Sequence, residues 1–274
     1  MFLTAPMSKD RDDGLVPFSR DPGGPRVSVI IPVLNEEASL PQVLRDVPDF
    51  AEVVVVDGLS QDRSVDVALR TRPGCRIVLE SKKGKGAAIR AGVSVAAGYY
   101  VVLLDADCSH DPSEITQMLE HLERGFDVVH GSRFLAGGRS EDLTRFRLVG
   151  NRFFVWLVNS LHETNYTDVC YGYMALRRSA LARLSLDADS MEIDAHILIA
   201  ARWAGLRVIE VPSFERKRYA GHSRLNAFRD GWRILWKIVS AWWSPRWAAS
   251  VVSMASSMSK INKAEAHRSG VPEN

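Results

Sequence analysis

The chain has 274 residues, enough for one large domain or one domain carrying an appendage. Its 35 basic and 33 acidic side chains nearly cancel to a net charge of +2, which gives no electrostatic ground for a nucleic-acid partner. The 46% hydrophobic content is that of an ordinary folded protein, and the three scattered cysteines, Cys75, Cys108 and Cys170, show neither a disulfide framework nor metal-ligand spacing. A reducing, cytoplasmic compartment is the simplest reading of those cysteines.

Residues 1–25 mix charge, proline and glycine without the apolar segment of a signal peptide, and are expected to be a disordered leader. From Val27 to Val33 runs a β-rich stretch with a proline near its end. Val53–Val56 and Tyr99–Leu104 are continuous apolar runs, each followed by aspartate, and Arg76–Leu79 and Asp127–His130 are shorter runs of similar character. Such runs, apolar without alternation, predict strands buried on both faces, as in a parallel sheet.

Helical patterns fill the gaps: 37–47, 63–70, 86–97 and 112–124, the last with Pro112 at a first helical position after Asp111 as cap. Strands alternating with helices of this length predict a Rossmann-like α/β domain whose mostly parallel central sheet is flanked by helices. Further on, 148–161 predicts an amphipathic helix, 171–177 a strand, 193–204 a helix, 207–211 a strand ending before Pro212, and 226–243 a long aromatic helix. The expected organisation is an α/β domain over 26–225, an aromatic and basic amphipathic segment over 226–254, and a disordered tail over 255–274. No stretch reaches the ~18 uninterrupted apolar residues of a spanning helix; 234–254 is broken by Lys237, Pro245 and Arg246.

In open α/β sheets ligands bind beyond the carboxyl ends of the strands. Three polar clusters fall at such ends: Asn35-Glu36-Glu37, Asp57-Gly58 and Asp105-Ala106-Asp107. Asp105 and Asp107 are short carboxylates that one turn can aim at a single hard cation, Mg²⁺ or Mn²⁺, which would complete its shell with water and phosphate oxygens. An isolated Asp-x-Asp is more often a solvated turn; its coincidence with two other polar strand ends favours one shared site. Asp57 suits hydrogen bonds from a ribose or base. Glu36 and Glu37 begin the 37–47 helix, where acidic groups favour the positive dipole end, and for Glu37 that reading is preferred. The Gly-rich basic loop 82–86, including Lys85, would suit a diphosphate, although it lacks the Walker pattern. Cys108, beside the paired aspartates, reads as a small filler, since no histidine-paired context marks it as a nucleophile.

Taken in order, the stretches VSVIIPVLNEEASL (27–40), VVVVDGLSQDRS (53–64), GKGAAIRAG (84–92), VVLLDADCSHDP (101–112) and GSRF (131–134) resemble glycosyltransferase family 2, which has the GT-A fold. Within it, DADCSHDP and RYAGHSRL (218–225) are most similar to polyprenyl-phosphate sugar synthases of the dolichol-phosphate mannosyltransferase type. The resemblance implies that Pro32, Leu34, Asn35, Glu36 and Asp57 line a nucleotide pocket, and that Asp105, Ala106 and Asp107 serve metal and diphosphate. It implies that Arg218 and Ser223 belong to a loop closing over the donor phosphates, and that Arg133 and Arg147, with Ser132 and Asn151, hold the acceptor. The chain departs from the pattern at Arg224, where lysine is usual, at Asn151, where serine is usual, and in the segment Asp168–Tyr173.

The implied reaction is inverting transfer from a nucleoside-diphosphate sugar, GDP-mannose or a UDP-hexose. With a polyprenyl phosphate as acceptor, the nucleophile is already anionic and needs positioning. With a small hydroxylated metabolite or glycan, a carboxylate must take the proton, and Asp168, Glu192 and Asp194 are the candidates; helix capping is the other reading of Glu192 and Asp194. A non-catalytic nucleotide-sugar-binding module is the remaining alternative. The tryptophans and basic residues of 226–247 suit either a peripheral contact with the cytoplasmic face of a membrane or packing of the Trp face on the domain.

Overall fold

A computed structural model describes residues 26–220 and 226–243; the leader 1–25, the segment 244–274 and Ser223 lie outside the described residues. In chain order the first half is β1 (Val27–Val33), α1 (Leu40–Asp46), β2 (Glu52–Asp57), α2 (Ser64–Thr71), β3 (Arg76–Leu79), α3 (Lys85–Val95), β4 (Tyr100–Leu103), α4 (Glu114–Glu123) and β5 (Val128–Ser132). The second half is β6 (Arg139–Ser140), α5 (Arg145–His162), β7 (Met174–Arg177), α6 (Arg178–Leu181), α7 (Ile193–Trp203), β8 (Val208–Pro212), β9 (Phe214–Glu215) and α8 (Ala227–Trp242).

Seven strands form one sheet in the order β3-β2-β1-β4-β7-β5-β8. All neighbours are parallel except β7, which runs antiparallel to both β4 and β5. That reversal positions the site: Met174, at the start of β7, pairs with Leu103 and His130 near the carboxyl ends of β4 and β5, so the preceding segment 168–173 arrives at the ligand-binding edge. A separate pair, β6 with β9, borders it.

The apolar runs work as expected at the centre of the sheet. Val29, Ile31, Val53, Val55 and Val102 meet α1, α2 and α4 on one face, while Ile30, Val54, Val56, Val101 and Leu103 meet α3, α5, α7 and α8 on the other. Each fully buried Val or Ile contributes roughly 1.5–3 kcal/mol. The 76–79 run is different: β3 pairs only with β2, and its end residues Arg76 and Leu79 are exposed, so this strand is an edge and not a core strand. Pro212 falls inside β8, where it is tolerated because β8 is the opposite edge. The first helix starts at Leu40, later than expected, because 37–39 forms a turn; Glu37 is therefore not a helix-start residue, and it accepts from the Arg63 backbone instead. The cap is not Asp111 but Ser113, which makes no side-chain cap bond; Asp111 closes the turn before the helix, accepting from Ser113 N at 3.0 Å, so α4 begins at Glu114 and Pro112 precedes it.

The last helix packs on the domain through Ile234 and Ile238, which join the core. Two of its tryptophans, Trp232 and Trp236, face away from that contact and are exposed, as is Trp243 just after the helix, whereas Trp242 is half-buried. His162 ties three helices together, its Nδ1 accepting from the Trp203 indole at 2.9 Å and its Nε2 facing the Ile238 carbonyl at 3.1 Å. Burial holds this imidazole neutral, with its pKa pushed down to about 4. The unfolded chain takes a proton on this group below its ordinary value near 6.5, whereas the folded one resists until about 4, so the stabilisation is complete above 6.5 and is lost as pH falls through that window. Urea titrations at pH 7 and pH 5 should show the wild type losing about 2 kcal/mol more than His162→Gln; equal losses would refute the assignment.

Candidate active site

Backbone conformation marks the site first. Among the described residues, four non-glycine positions have left-handed φ, and three of them, Asn35 (50°), Leu59 (63°) and Cys108 (65°), follow the carboxyl ends of β1, β2 and β4. Asparagine tolerates that region; leucine and cysteine do so at a cost of order 1–3 kcal/mol, which concentrates strain where the three polar clusters meet.

The β1 and β2 ends interlock. Asn35 donates its backbone N–H to Ser60 Oγ at 2.8 Å and accepts at Oδ1 from Gln61 N at 2.6 Å, while Glu36 N reaches Ser64 Oγ at 2.8 Å. Pro32 lies on the strand beside Val56, and Leu34 is exposed at its end. Asp57 is buried; its Oδ2 accepts from Ser60 N at 2.9 Å, and its Oδ1 is buried with no partner. A buried carboxylate oxygen left open costs free energy until a donor arrives, which is the condition a ribose or base hydroxyl or amine would meet.

Beyond β4, Ala106 points into the core and the flanking aspartates point away, each onto a cation from a distant part of the chain. Asp105 Oδ1 lies 2.9 Å from Lys85 Nζ, and the same ammonium lies 3.2 Å from Asp194 Oδ2 on α7. Burial alone would raise the Asp105 pKa, but Lys85 foremost, with His110 and Arg218, holds it down to about 2; burial raises that of Asp194. His110 Nδ1 accepts from Asp105 N at 3.1 Å, so the neutral ring carries its proton on Nε2, which faces Asp105 at 3.7 Å, and the ring stacks on Tyr173. Asp107 Oδ1 accepts from Ser109 N at 2.9 Å, and its Oδ2 lies 2.7 Å from Arg218 Nη2, while Arg218 Nη1 reaches Glu36 Oε1 at 3.2 Å. The Cys108 thiol is pushed up to about 11, by burial and then by Asp107, in keeping with a filler.

The basic loop 82–86 is not an open anion cradle. A Cβ at Gly84 or Gly86 would collide with the carbonyl oxygens of Asp189 and Ala188, and Ala87 N already donates to Asp189 O at 3.1 Å. The glycines serve this close backbone approach, and Lys85 is buried beneath it. Gly172 matters similarly, since a side chain there would strike Lys85 Nζ and Asp194.

On the β5 side, Arg133 is enclosed. Its Nε and Nη2 hold Asp168 at 2.7 and 3.0 Å, its Nη1 holds Glu215 at 3.1 Å, and its guanidinium lies 4.8 Å from the Tyr171 ring centre. Asp168 is fully buried with both oxygens on Arg133, so neither residue presents its charge to solvent. Ser132 Oγ pairs with Thr167 Oγ1 at 2.6 Å. Arg147, in the first turn of α5, is partly exposed beside Asp142 at 3.0 Å; Asn151, one turn on, is buried with its Nδ2 unpartnered. Glu192 Oε1 accepts from the amides of Asp189 and Ser190, and its Oε2 is buried without a partner. Sequence reading gave no role to His110, Glu215 or Tyr171, whose partners are set by the fold.

Among the described residues, no three His, Cys, Asp or Glu side chains are grouped to hold a metal. The donor set nonetheless fits a hard cation that takes its other ligands from a bound diphosphate and water. Asp107 Oδ1 is fixed by a backbone amide, and Oδ2 already faces a positive charge, the Arg218 guanidinium.

A family model described as glycosyl transferase family 2 matches residues 28–185. An uncharacterised glycosyltransferase of Mycobacterium tuberculosis is 33% identical over 222 residues, 79% of this chain and 99% of the relative. The dolichyl-phosphate hexose transferase of Haloferax volcanii is 31% identical over 209 residues, 75% of this chain and 89% of the relative. Among solved structures, glucosyl-3-phosphoglycerate synthase from Mycobacterium tuberculosis, in complex with Mn²⁺, UDP-glucose and phosphoglyceric acid, superposes with a TM-score of 0.64 at 21% identity, covering 80% of each chain. That likeness shows the GT-A fold.

Lys85→Met would leave Asp105 and Asp194 buried without their shared cation. Denaturant unfolding should show a loss of about 3–5 kcal/mol, part of it recovered in Lys85→Met/Asp194→Asn. A loss below about 1 kcal/mol would mean that the ammonium is not buried between them.

Proposed function

Because the chain belongs to glycosyl transferase family 2 and is a glycosyltransferase, we propose that it transfers a sugar, with inversion, from a nucleoside-diphosphate sugar (GDP-mannose or a UDP-hexose) to a polyprenyl phosphate. The observation that carries the acceptor is the state of the carboxylates. Of the three candidates for a base, Asp168 is saturated by Arg133 and Asp194 is held by Lys85. An acceptor that is already anionic needs no base. The named activity of the Haloferax dolichyl-phosphate relative supports the same choice.

In this reading Pro32, Leu34, Asn35, Glu36 and Asp57 hold the nucleotide, the open Oδ1 of Asp57 taking a donor from ribose or base. Asp107, with Asp105, would hold Mg²⁺ or Mn²⁺, which when bound neutralises charge on the departing nucleoside diphosphate. Lys85 fixes Asp105, and Arg218, with Ser223 of the same segment, binds donor phosphate. Arg147 meets the acceptor phosphate near Ser132 and Asn151, while Arg133 braces Asp168 and Glu215 beneath. Residues 26–225 form the catalytic unit, with α8 appended.

The acceptor's lipid suits the surface beside Arg147. Phe146, Val149, Phe153 and Trp156 of α5, Phe228, Trp232 and Trp236 of α8 and Trp243 just after it are exposed, and the Phe146 and Phe228 rings lie 6.3 Å apart, joining the two faces. Arg145, Arg152, Arg229 and Arg233 flank them, and the one acidic residue of the two helices, Asp230, is buried. Aromatic and basic residues combined in this way suit the headgroup level of a bilayer. No helix among the described residues is long and apolar enough to cross a membrane, and the contact proposed is peripheral, on the cytoplasmic face.

The rival reading, a soluble hydroxylated acceptor, has one observation in its favour, the unpartnered Oε2 of Glu192. GDP- and UDP-sugars assayed with Mn²⁺ or Mg²⁺ separate the two. Transfer to polyprenyl phosphate, reduced at least about a hundredfold in Asp107→Ala but retained in Glu192→Gln, is expected. Transfer only to soluble hydroxyl acceptors, abolished in Glu192→Gln, would contradict the lipid acceptor. Co-sedimentation with vesicles containing anionic lipid should fall in Trp232→Ala/Trp236→Ala; undiminished binding would remove the α8 face from the proposal.

A further inference from the structure

Arg218 occupies an unusual position for a residue expected to bind phosphate. Its guanidinium bridges two carboxylates, Asp107 at 2.7 Å and Glu36 at 3.2 Å, and its side chain is largely buried between them. The backbone places it there: Arg216 N donates to Ser109 O at 2.8 Å and Tyr219 N to Asp107 O at 3.1 Å, so the 216–219 segment is stitched along the Asp107 turn on both sides of Arg218. Asp107 Oδ1 is committed to Ser109 N, which leaves Oδ2 to face a cation, and Arg218 faces it. Glu36 Oε2 is likewise committed, to Ser39 Oγ at 2.9 Å, so the guanidinium takes its other oxygen.

We infer that Arg218 is an internal counter-ion that competes with the divalent cation for Asp107 and yields it when a nucleoside diphosphate arrives. The inference rests on the metal and donor reading above and extends it to the order in which the site fills. A guanidinium already against Oδ2 repels a divalent cation brought to the same carboxylate and shares its charge, so the empty enzyme holds the metal weakly. A diphosphate offers the guanidinium a bidentate partner of higher charge than Asp107. Because the flanking backbone bonds are made by residues 216 and 219, the exchange needs only a rotation of the Arg218 side chain. Cation and donor then bind together more tightly than either alone, and by linkage each strengthens the other by the same factor. Arg218 is in this respect a positioning residue for the metal as well as a ligand for the donor.

Mn²⁺ binding to the full-length chain, followed by the electron-spin signal of the free ion, tests this without turnover. In Arg218→Gln, Mn²⁺ alone should bind about tenfold more tightly than in the wild type, as expected for removal of one competing ion pair of about 1.4 kcal/mol. The enhancement of Mn²⁺ affinity by GDP or UDP should shrink in that variant, and Arg218→Lys, whose ammonium cannot span both carboxylates, should fall between. Arg216→Gln, which removes a neighbouring charge paired with Asp111 and not with Asp107, should leave Mn²⁺ affinity within about twofold of the wild type. Equal tightening in Arg216→Gln and Arg218→Gln would replace competition with a general field effect, and unchanged or weaker binding in Arg218→Gln would overturn the inference. If no variant binds Mn²⁺ even with GDP or UDP, the metal reading itself fails, which is a different result from Mn²⁺ binding that ignores Arg218.

Discussion

Asp105 and Asp107 stand two residues apart at the end of a buried strand, and carboxylates held that close repel unless positive charge is placed beside them. The chain supplies it from two distant sources. Lys85 comes up from the start of α3 against Asp105, and Arg218 comes down from the segment after β9 against Asp107. Much of the local architecture follows from these two contacts. Gly84 and Gly86 are needed so that the 188–190 backbone can cover Lys85, Gly172 leaves room for its ammonium, and Asp194 shares it. The two aspartates are thus not equivalent. One is held by a buried lysine among α3, α7 and the β7 approach, the other by a partly exposed arginine that a ligand can reach.

The second constraint is the reversed strand β7. A wholly parallel sheet would leave the β4 and β5 ends side by side with only the loops that follow them. Inserting one antiparallel strand delivers the 168–173 segment to the same edge, where Asp168 locks Arg133 and the Tyr171 and Tyr173 rings pack around His110. A rigid polar floor results, with Arg147 and the aromatic faces of α5 and α8 at its border. Under the proposed transfer to an anionic acceptor, such a floor would serve alignment, since positioning contributes more than proton transfer when the nucleophile is already charged.

Local pattern made the scaffold legible. Apolar runs marked β1, β2, β4 and β5, and the clusters at their ends, Asn35-Glu36, Asp57 and Asp105-Asp107, do meet at one edge. Pairings across long stretches of chain were not legible, because no local period encodes them. Lys85 and Asp194 are 109 residues apart, and Arg133 and Glu215 are 82 apart. For that reason the 82–86 loop, read as a phosphate cradle, turned out to be packed, and Asp168, read as a base, turned out to be an ion-pair partner of an arginine read as an acceptor ligand. The direction of β7 was equally invisible, since a four-residue strand reads the same either way. Leu59 carried no signal at all; its left-handed backbone is imposed by the turn that brings Ser60 to Asp57 and Asn35.

Whether the Asp105–Asp107 turn holds a divalent cation against the donor's diphosphate is measured most directly by electron–nuclear double resonance on the Mn²⁺ complex with GDP or UDP, using protein labelled at its aspartate carboxylate carbons. One bound Mn²⁺ should show hyperfine coupling to phosphorus and to aspartate carboxylate carbon together, and Asp107→Asn should remove the Asp107 contribution and so weaken the carbon coupling. Phosphorus coupling without any carboxylate carbon, or a spectrum indifferent to Asp107→Asn, would contradict it.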